Sequence, residues 1–285
     1  LIEVQGLYRD HDGRPVLVDV SFSVARGQAL GLAGPGGGGK STALRLLAGV
    51  LDPTAGTVTI AGQDARARGA RRHVGYLAAG APVYDEMRVE PYLRTVCRLR
   101  GVGPERIDPV LERCGLAAHR RDIIGRLATD VRRRVGLAQA VVHDPDVLLL
   151  DDPGPDPELI AELGRGRAMV VSGRGPAGVG ALCDRVLVLE AGRVVADETP
   201  AVLRERPVLE VIVEFRGDAA AAERHVGRLA GVAAVAVEEL DGGSHRLTVT
   251  GDRDDLQDAV ARVIVENRLR LEQLSSRRPA RDEAR

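Results

Sequence analysis

Gly34-Pro35-Gly36-Gly37-Gly38-Gly39-Lys40-Ser41-Thr42 is the stretch from which the rest of this chain is read. Its spacing, G-x-x-x-x-G-K-[ST], is that of a loop that cradles phosphate. The glycines let successive backbone N–H groups converge on phosphate oxygens, and a helix N-terminus behind them adds a favourable dipole. The flanks supply that context. Gln28-Ala29-Leu30-Gly31-Leu32-Ala33 reads as a short buried strand, and Ala43-Leu44-Arg45-Leu46-Leu47-Ala48 as the first turns of a helix. In such a loop Lys40 reaches the β- and γ-phosphates of a nucleotide, and Ser41 sets its hydroxyl on Mg²⁺. A glycine run alone also suits a plain flexible turn. Composition favours the first reading: among 40 Lys plus Arg, Lys40 is the only lysine. A chain that uses arginine everywhere else has a lysine where a compact point charge is wanted.

The totals narrow the field. A length of 285 residues suits one large domain, or a large and a small one. The formal net charge of -1 and a pI near 6.7 provide no global field for nucleic acid or anionic membrane. Aromatics make up 2% and Trp is absent, so the core is aliphatic and stacking platforms for single strands are scarce. Cys97, Cys114 and Cys183 are odd in number and widely spaced, which points to a reducing compartment, buried thiols and no metal site. No secretory signal is evident and no apolar run is long enough to cross a bilayer, so a membrane role would come through a partner.

Outward from the loop, residues 2–7 and 16–24 alternate as strands, with Asp12-Gly13-Arg14-Pro15 as the turn between them. Thr57-Val58-Thr59-Ile60 and Val74-Gly75-Tyr76-Leu77 are further strands. Arg66, Arg68, Arg71 and Arg72 read as a solvated basic rim, because no aromatic interleaves them. From about 88 to 142 the pattern is helical. Pro91 and Pro109 are tolerable near helix starts. Val147-Leu148-Leu149-Leu150 is an unbroken apolar run ending in Asp151-Asp152, as a central parallel strand reads when it delivers acids to its C-terminal edge. Met169-Val170-Val171 and Val186-Leu187-Val188-Leu189 add two strands. A boundary is expected near Pro200 to Pro207. Beyond it, a strand at 209–215, a helix at 218–230, strands at 232–239 and 245–250, a helix at 253–265 and a last element at 268–274 give β-α-β-β-α-β, the order of a ferredoxin-like α+β domain. The tail from Ser275 is rich in Arg, Pro and acids and is read as disordered.

Hydrolysis of a nucleotide needs more than a cradle: a carboxylate that orders Mg²⁺, a group that places the attacking water, and a donor on the γ-phosphate. Asp151 suits the first role, or else is a plain strand-ending turn residue. Asp152 is a candidate general base one methylene shorter than glutamate, in chemistry where reach is counted in tenths of an ångström.

With these motifs in place, the chain resembles an ATP-binding subunit of ABC transporters, of the kind that serves drug-, antibiotic- or gliding-type exporters with a separate permease. GPGGGGKSTALRLLAGVLDPTAGTVTIAG at 34–62, VRRRVGLAQAVVHDPDVLLLDDP at 131–153 and ALCDRVLVLEAGRVVADETP at 181–200 carry the likeness. It implies a P-loop NTPase cassette of α/β class over residues 1–205, with a helical subdomain at about 88–142. A small accessory domain would follow at 208–274, and the tail at 275–285. It implies ATP and Mg²⁺ as cofactors, a second cassette as dimer partner, a separately encoded membrane permease, and a place on the inner face of the cell membrane. No nucleic acid is expected.

Residue by residue, the resemblance implies that Gly34, Gly37, Gly39, Lys40, Ser41 and Thr42 hold phosphate. Ser41 and Asp151 would hold the metal, and His11 would stand where the family stacks an aromatic ring on adenine. Other family positions are substituted. The Q-loop residue falls on Ala79, and the signature LSGGQ on Leu127-Ala128-Thr129-Asp130-Val131. The catalytic glutamate falls on Asp152 and the switch histidine on Arg174, and the D-loop shrinks to Pro155-Asp156-Pro157. Asp130 would put a carboxylate near phosphate, a like-charge contact. Arg174 offers a cation but not a neutral histidine's hydrogen bonding. Arg132, Arg133 and Arg134 read as the solvated face of the signature helix, with Val135, Leu137 and Ala138 turned inward; the alternative is that they answer phosphate across a dimer. Two functions follow. One is an exporter's ATP-binding subunit with weak or partner-dependent hydrolysis; the other is a catalytically inactive module that binds nucleotide for regulation or structure.

Overall fold

The computed structural model describes residues 1–173, 175–205, 209–229, 232–251 and 256–277. The chain divides into two compact units, one of Leu1–Ala33 with Gly37–Pro200 and the other of Gly34–Gly36 with Ala201–Arg285.

The first unit opens with a hairpin of β1 (Ile2–His11) and β2 (Arg14–Val24), followed by β3 (Ala29–Ala33) and α1 (Lys40–Leu47). Then come β4 (Ala55–Ile60), β5 (Gln63–Asp64), the short α2 (Arg68–Arg72) and β6 (Val74–Leu77). A helical segment holds α3 (Val89–Arg100), α4 (Ile107–Arg113) and α5 (Thr129–Val141). After it β7 (Val147–Asp151), α6 (Pro157–Gly164), β8 (Ala168–Ser172), the short α7 (Pro176–Gly180), β9 (Arg185–Glu190) and β10 (Arg193–Glu198) complete the unit, and α8 (Pro200–Glu205) follows.

Two sheets form. An antiparallel one runs β2-β1-β4-β5; a larger one runs β10-β9-β3-β8-β7-β6. In the larger sheet β9, β3, β8, β7 and β6 are parallel, and only β10 runs against its neighbour. Every residue of β7 and β8 is buried, so both read as continuous apolar runs, as strands covered on both faces do. One core cluster joins Leu30 and Leu32 of β3, Leu44 and Leu47 of α1, Leu149 of β7 and Ile2 and Leu17 of the hairpin, all 0% exposed. Burying each such side chain stabilises by roughly 1.5–3 kcal/mol. On the opposite face the sheet meets α5. There Gly75 is required by contact: a Cβ on it would lie 2.1 Å from the Ala140 carbonyl oxygen.

The hairpin arms run further than alternation indicates, through Asp10 and His11, because backbone pairing with Pro15 and Arg14 carries them to the turn at Asp12 and Gly13. The described residues give an α/β fold of P-loop NTPase type with a helical subdomain inserted between β6 and β7.

The second unit contains β11 (Leu209–Arg216), α9 (Ala219–Val226), β12 (Val232–Glu239), β13 (His245–Gly251), α10 (Leu256–Glu266) and β14 (Arg270–Arg277). Its sheet runs β12-β13-β11-β14 with every pair antiparallel, which is the ferredoxin-like arrangement. Val211, Val213, Phe215, Leu247 and Val249 form one core with Ala222, Val226, Val260 and Ile264 of the helices. Asp218 caps α9, its Oδ1 accepting from the Ala221 N–H at 3.0 Å. One expectation is corrected here. Ser275 does not begin a disordered tail, since Ser275, Ser276 and Arg277 belong to β14 and pair with Ile212, Val211 and Glu210. Residues 278–285 lie outside the described residues.

Candidate functional site

The glycine-rich loop joins the C-terminal end of β3 to α1, with left-handed φ values at Gly34 (134°), Gly37 (82°) and Gly39 (97°). A side chain at Gly39 has no room. Its Cβ would stand 2.7 Å from Leu17 Cδ2 and 2.8 Å from the Val16 carbonyl oxygen, so the first residues of β2 lie directly against the loop. Gly39 is also the N-cap of α1; it offers no side-chain cap, and the first turn contains no acid. The helix start therefore presents N–H groups and a positive dipole end with nothing of opposite charge built in, the arrangement that favours an anion. Lys40, Ser41 and Thr42 are its first three residues and all are half-buried.

Beneath the loop, β7 and β8 end side by side. Asp151 is 3% exposed and pairs in register with Ser172. The Ser172 hydroxyl donates to Asp151 Oδ1 at 2.6 Å and accepts from the Asp152 N–H at 3.1 Å. Asp151 Oδ2 is buried and has no hydrogen-bond partner among the described residues. A buried carboxylate left with an unanswered oxygen costs several kcal/mol unless a cation or donor meets it. That oxygen, with the Ser41 hydroxyl at the start of α1, fits a hard divalent cation that keeps waters and phosphate oxygens as its remaining ligands. Among the described residues no group of three or more His, Cys, Asp or Glu makes an all-protein cage, so Ser41, Asp151 and the nucleotide would share that role.

Asp152 behaves differently. It adopts φ 52° and its side chain is exposed, so the chain turns left-handed directly after the buried acid. His11 closes the β1–β2 hairpin opposite Arg14; its ring is 77% exposed and lies 3.6 Å from the Asp12 carboxylate. It sits on the same hairpin whose Val16 and Leu17 press on Gly39. Arg174 lies outside the described residues.

Two residues near Asp151 did not stand out in the sequence. Ser172 ends an apolar run just as Asp151 does, and that parallel was the available signal. Tyr76 faces the same side of the sheet, because it registers with Leu149, two residues before Asp151 on β7. Its hydroxyl is buried without a hydrogen-bond partner among the described residues. Burial raises the phenol's pKa, and the nearby Asp151 charge raises it further; Arg45 of α1 lowers it by a smaller amount, through its charge and hydrogen bonding.

The signature-like segment lies at the start of α5, with Ala128 as N-cap and Asp130 exposed in the first turn. Val135, Leu137 and Ala138 are buried as expected. The three arginines before them are not simply solvated. Arg132 lies 2.8 Å from the Asp85 carboxylate as an ion pair, and Arg134 donates to Asp156 at 2.8 Å. Arg133 lays its stem over Gly154, where a Cβ would come within 2.6 Å of Arg133 Cδ. Asp156 also caps α6 through the Leu159 N–H at 3.2 Å, so the shortened segment after β7 is tied to α5.

With this geometry in view, known proteins place the chain. Residues 17–154 match the family described as ABC transporter. An ABC transporter ATP-binding protein of Bacillus subtilis, YhcH, described as uncharacterized, is 32% identical, the match covering 68% of this chain and 68% of that protein. The Nod factor export ATP-binding protein I of Burkholderia orbicola is 33% identical over 78% of this chain and 79% of its own length. This chain belongs to the ABC transporter ATP-binding proteins. Among solved structures, an ATP-binding subunit of an ABC transporter superposes with a TM-score of 0.63 at 25% identity, over 70% of this chain and 90% of that one. A bacterial ABC transporter cassette solved as a dimer shares the fold at 20% identity, with a TM-score of 0.63, over 70% of this chain and 99% of that cassette. As an ABC transporter ATP-binding subunit, the chain has the loop through which the family binds ATP with Mg²⁺. Such subunits work beside membrane permeases and often dimerise. No described helix is long and apolar enough to cross a membrane.

Proposed function

We propose that this chain is the ATP-binding subunit of an ABC-type exporter, docking on a separate permease at the inner membrane face and hydrolysing ATP weakly or only beside a better-equipped second cassette. Gly34, Gly37, Gly39, Lys40, Ser41 and Thr42 would hold the phosphates, Ser41 and Asp151 the Mg²⁺, and His11 the adenine edge. The observation that carries this reading is the contrast between adjacent acids. Asp151 is buried with one oxygen held by Ser172 and the other unanswered, whereas Asp152 turns out to solvent through a left-handed residue. The first arrangement suits cation binding; the second leaves the carboxylate at the base position unanchored. The export role draws its support from relatives described as export ATP-binding proteins.

When bound, Mg²⁺ would neutralise charge on the nucleotide's phosphates. The chain's own residues hold the phosphate end in backbone N–H groups, set Lys40 beside it and fix the Asp151 carboxylate through Ser172.

The alternative, a nucleotide-binding module without catalysis, is favoured by the exposed Asp152 together with Ala79 and Asp130 at positions where the family carries polar catalytic or clasping groups. Calorimetry with Mg-ATP on the parent and a Lys40→Ala variant, with phosphate release measured in parallel, separates the readings. Binding lost in the variant is expected, with turnover by the isolated parent at or near background. Brisk turnover by the isolated parent would reject both forms of impairment, and no binding at all would reject the nucleotide site.

A further inference from the structure

The site described so far leaves two buried oxygens without partners on one face of the sheet: Asp151 Oδ2 on β7 and the Tyr76 hydroxyl on the adjacent β6. Their nearness follows from register. Tyr76 lies beside Leu149 in a parallel pair, and Leu149 and Asp151 point the same way because side chains alternate along a strand. That face is the α1 side. Leu149 and Leu44 share its core, with Tyr76 packed against it, whereas Gly75 abuts α5 on the other face. The phenol therefore lies on the α1 side of the sheet, the face to which Asp151 also points, two residues before Asp151 in register and close enough to feel its charge.

Such an arrangement is unfavourable in isolation. A buried hydroxyl without a partner costs roughly 1–3 kcal/mol, and phenylalanine would fill the same space without that cost. Arg45 of α1 is close enough to lower the phenol's pKa by charge and hydrogen bonding, though the hydroxyl has no partner of good geometry among the described residues. Direct donation to Asp151 would satisfy both groups at once, yet neither makes it in the described structure. The pair instead leaves an acceptor and a donor unanswered on one face of the sheet, the two kinds of group a hydrated cation uses: an anionic oxygen for the ion, and a neutral hydroxyl for one of its waters.

We propose that Tyr76 is a positioning residue for the divalent cation of this site, its hydroxyl hydrogen-bonding a water of the ion's shell while Asp151 Oδ2 faces the ion or that water. The inference rests on the Mg-ATP reading above and adds to it a residue that neither the loop nor the strand-ending acids reveal. Tyr76 acts through the water it holds, so its removal weakens the gain from Mg²⁺ while leaving contacts to the nucleotide itself intact.

The experiment measures ATP affinity by calorimetry with Mg²⁺ and with EDTA, on the parent and on Tyr76→Phe. The expected result is equal affinity in EDTA and a gain from Mg²⁺ that is about fivefold smaller in the variant, the order of one hydrogen bond. The nucleotide-free variant should melt at the same temperature as the parent or slightly above it. With four tyrosines and no Trp in the chain, Mg²⁺ added to the ATP complex should also perturb tyrosine difference absorbance in the parent, and less so in the variant. An equal gain from Mg²⁺ in both proteins overturns the role of Tyr76 while leaving the nucleotide site standing. An equal loss of affinity with and without Mg²⁺ overturns it too, showing that Tyr76 only shapes the pocket. A parent that binds ATP without any gain from Mg²⁺ overturns the cation reading and this inference with it.

Discussion

Single side chains in this protein report their surroundings most clearly where burial and partner count disagree. Ser172 is the sole described partner of Asp151 Oδ1, so Ser172→Ala would leave a carboxylate at 3% exposure with both oxygens unanswered. The expected cost is about 1–3 kcal/mol in the nucleotide-free protein, recovered in part by Mg-ATP; denaturant titrations with and without the ligand would show it. His143 gives a pH signature. Its Nε2–H donates to the Val74 carbonyl at 3.1 Å, its Nδ1 is buried without a described partner, and burial pushes its pKa down from 6.5 to about 4. An unfolded histidine takes its proton near pH 6.5 and the folded one only near 4, so in that window the unfolded chain binds more protons. Stability from this group is complete above 6.5 and falls as the pH drops toward 4, by at most about 3 kcal/mol. His143→Gln keeps a donor toward Val74 and does not titrate. Its melting temperature should fall less than the parent's between those pH values, and parallel curves would rule out His143 as the source.

At the level of elements, β6 and α5 touch backbone to backbone at Gly75, with Pro145 Cγ also within 2.8 Å of the missing Cβ. Gly75→Ala should therefore push the helix off the sheet, costing about 1–3 kcal/mol and lowering the melting temperature by several degrees. An unchanged melting curve would mean that α5 shifts there freely. The elements of the sheet were legible in the sequence because buried parallel strands must be apolar throughout, as β7 and β8 are. The ends of polar strands were not. Asp10 and His11 extend β1, and Ser275 to Arg277 extend β14, through backbone pairing on a hairpin tip and at a sheet edge, where side-chain type is barely constrained. The site divided in the same way. Lys40, Ser41 and Asp151 stand in a spaced motif and at the end of an apolar run, whereas Tyr76 matters through its register with β7 and Ser172 through its register with Asp151. The arginines of α5 read as solvent-facing from periodicity alone; Asp85 and Asp156, which pair with them, are far away in sequence.

For the whole molecule the property that Asp130 bears on is association. Asp130 stands exposed in the first turn of α5, where the helix dipole stabilises an acid by roughly 0.3–1 kcal/mol, and the same charge would oppose a phosphate brought to it by a second cassette. Asp130→Ser should thus lower the monomer's stability slightly while raising the dimer fraction seen by sedimentation with Mg-ATP. No change in that fraction would relieve Asp130 of the inhibitory part. Across all 285 residues the side-chain amines come to a single one, on Lys40 at the head of α1. An acylating reagent that forms stable amides therefore has one side-chain amine to modify, and it lies in the phosphate loop. A sub-stoichiometric modification, located at Lys40 by mass spectrometry, would read out occupancy of that loop in the purified chain, with protection by nucleotide as the signal.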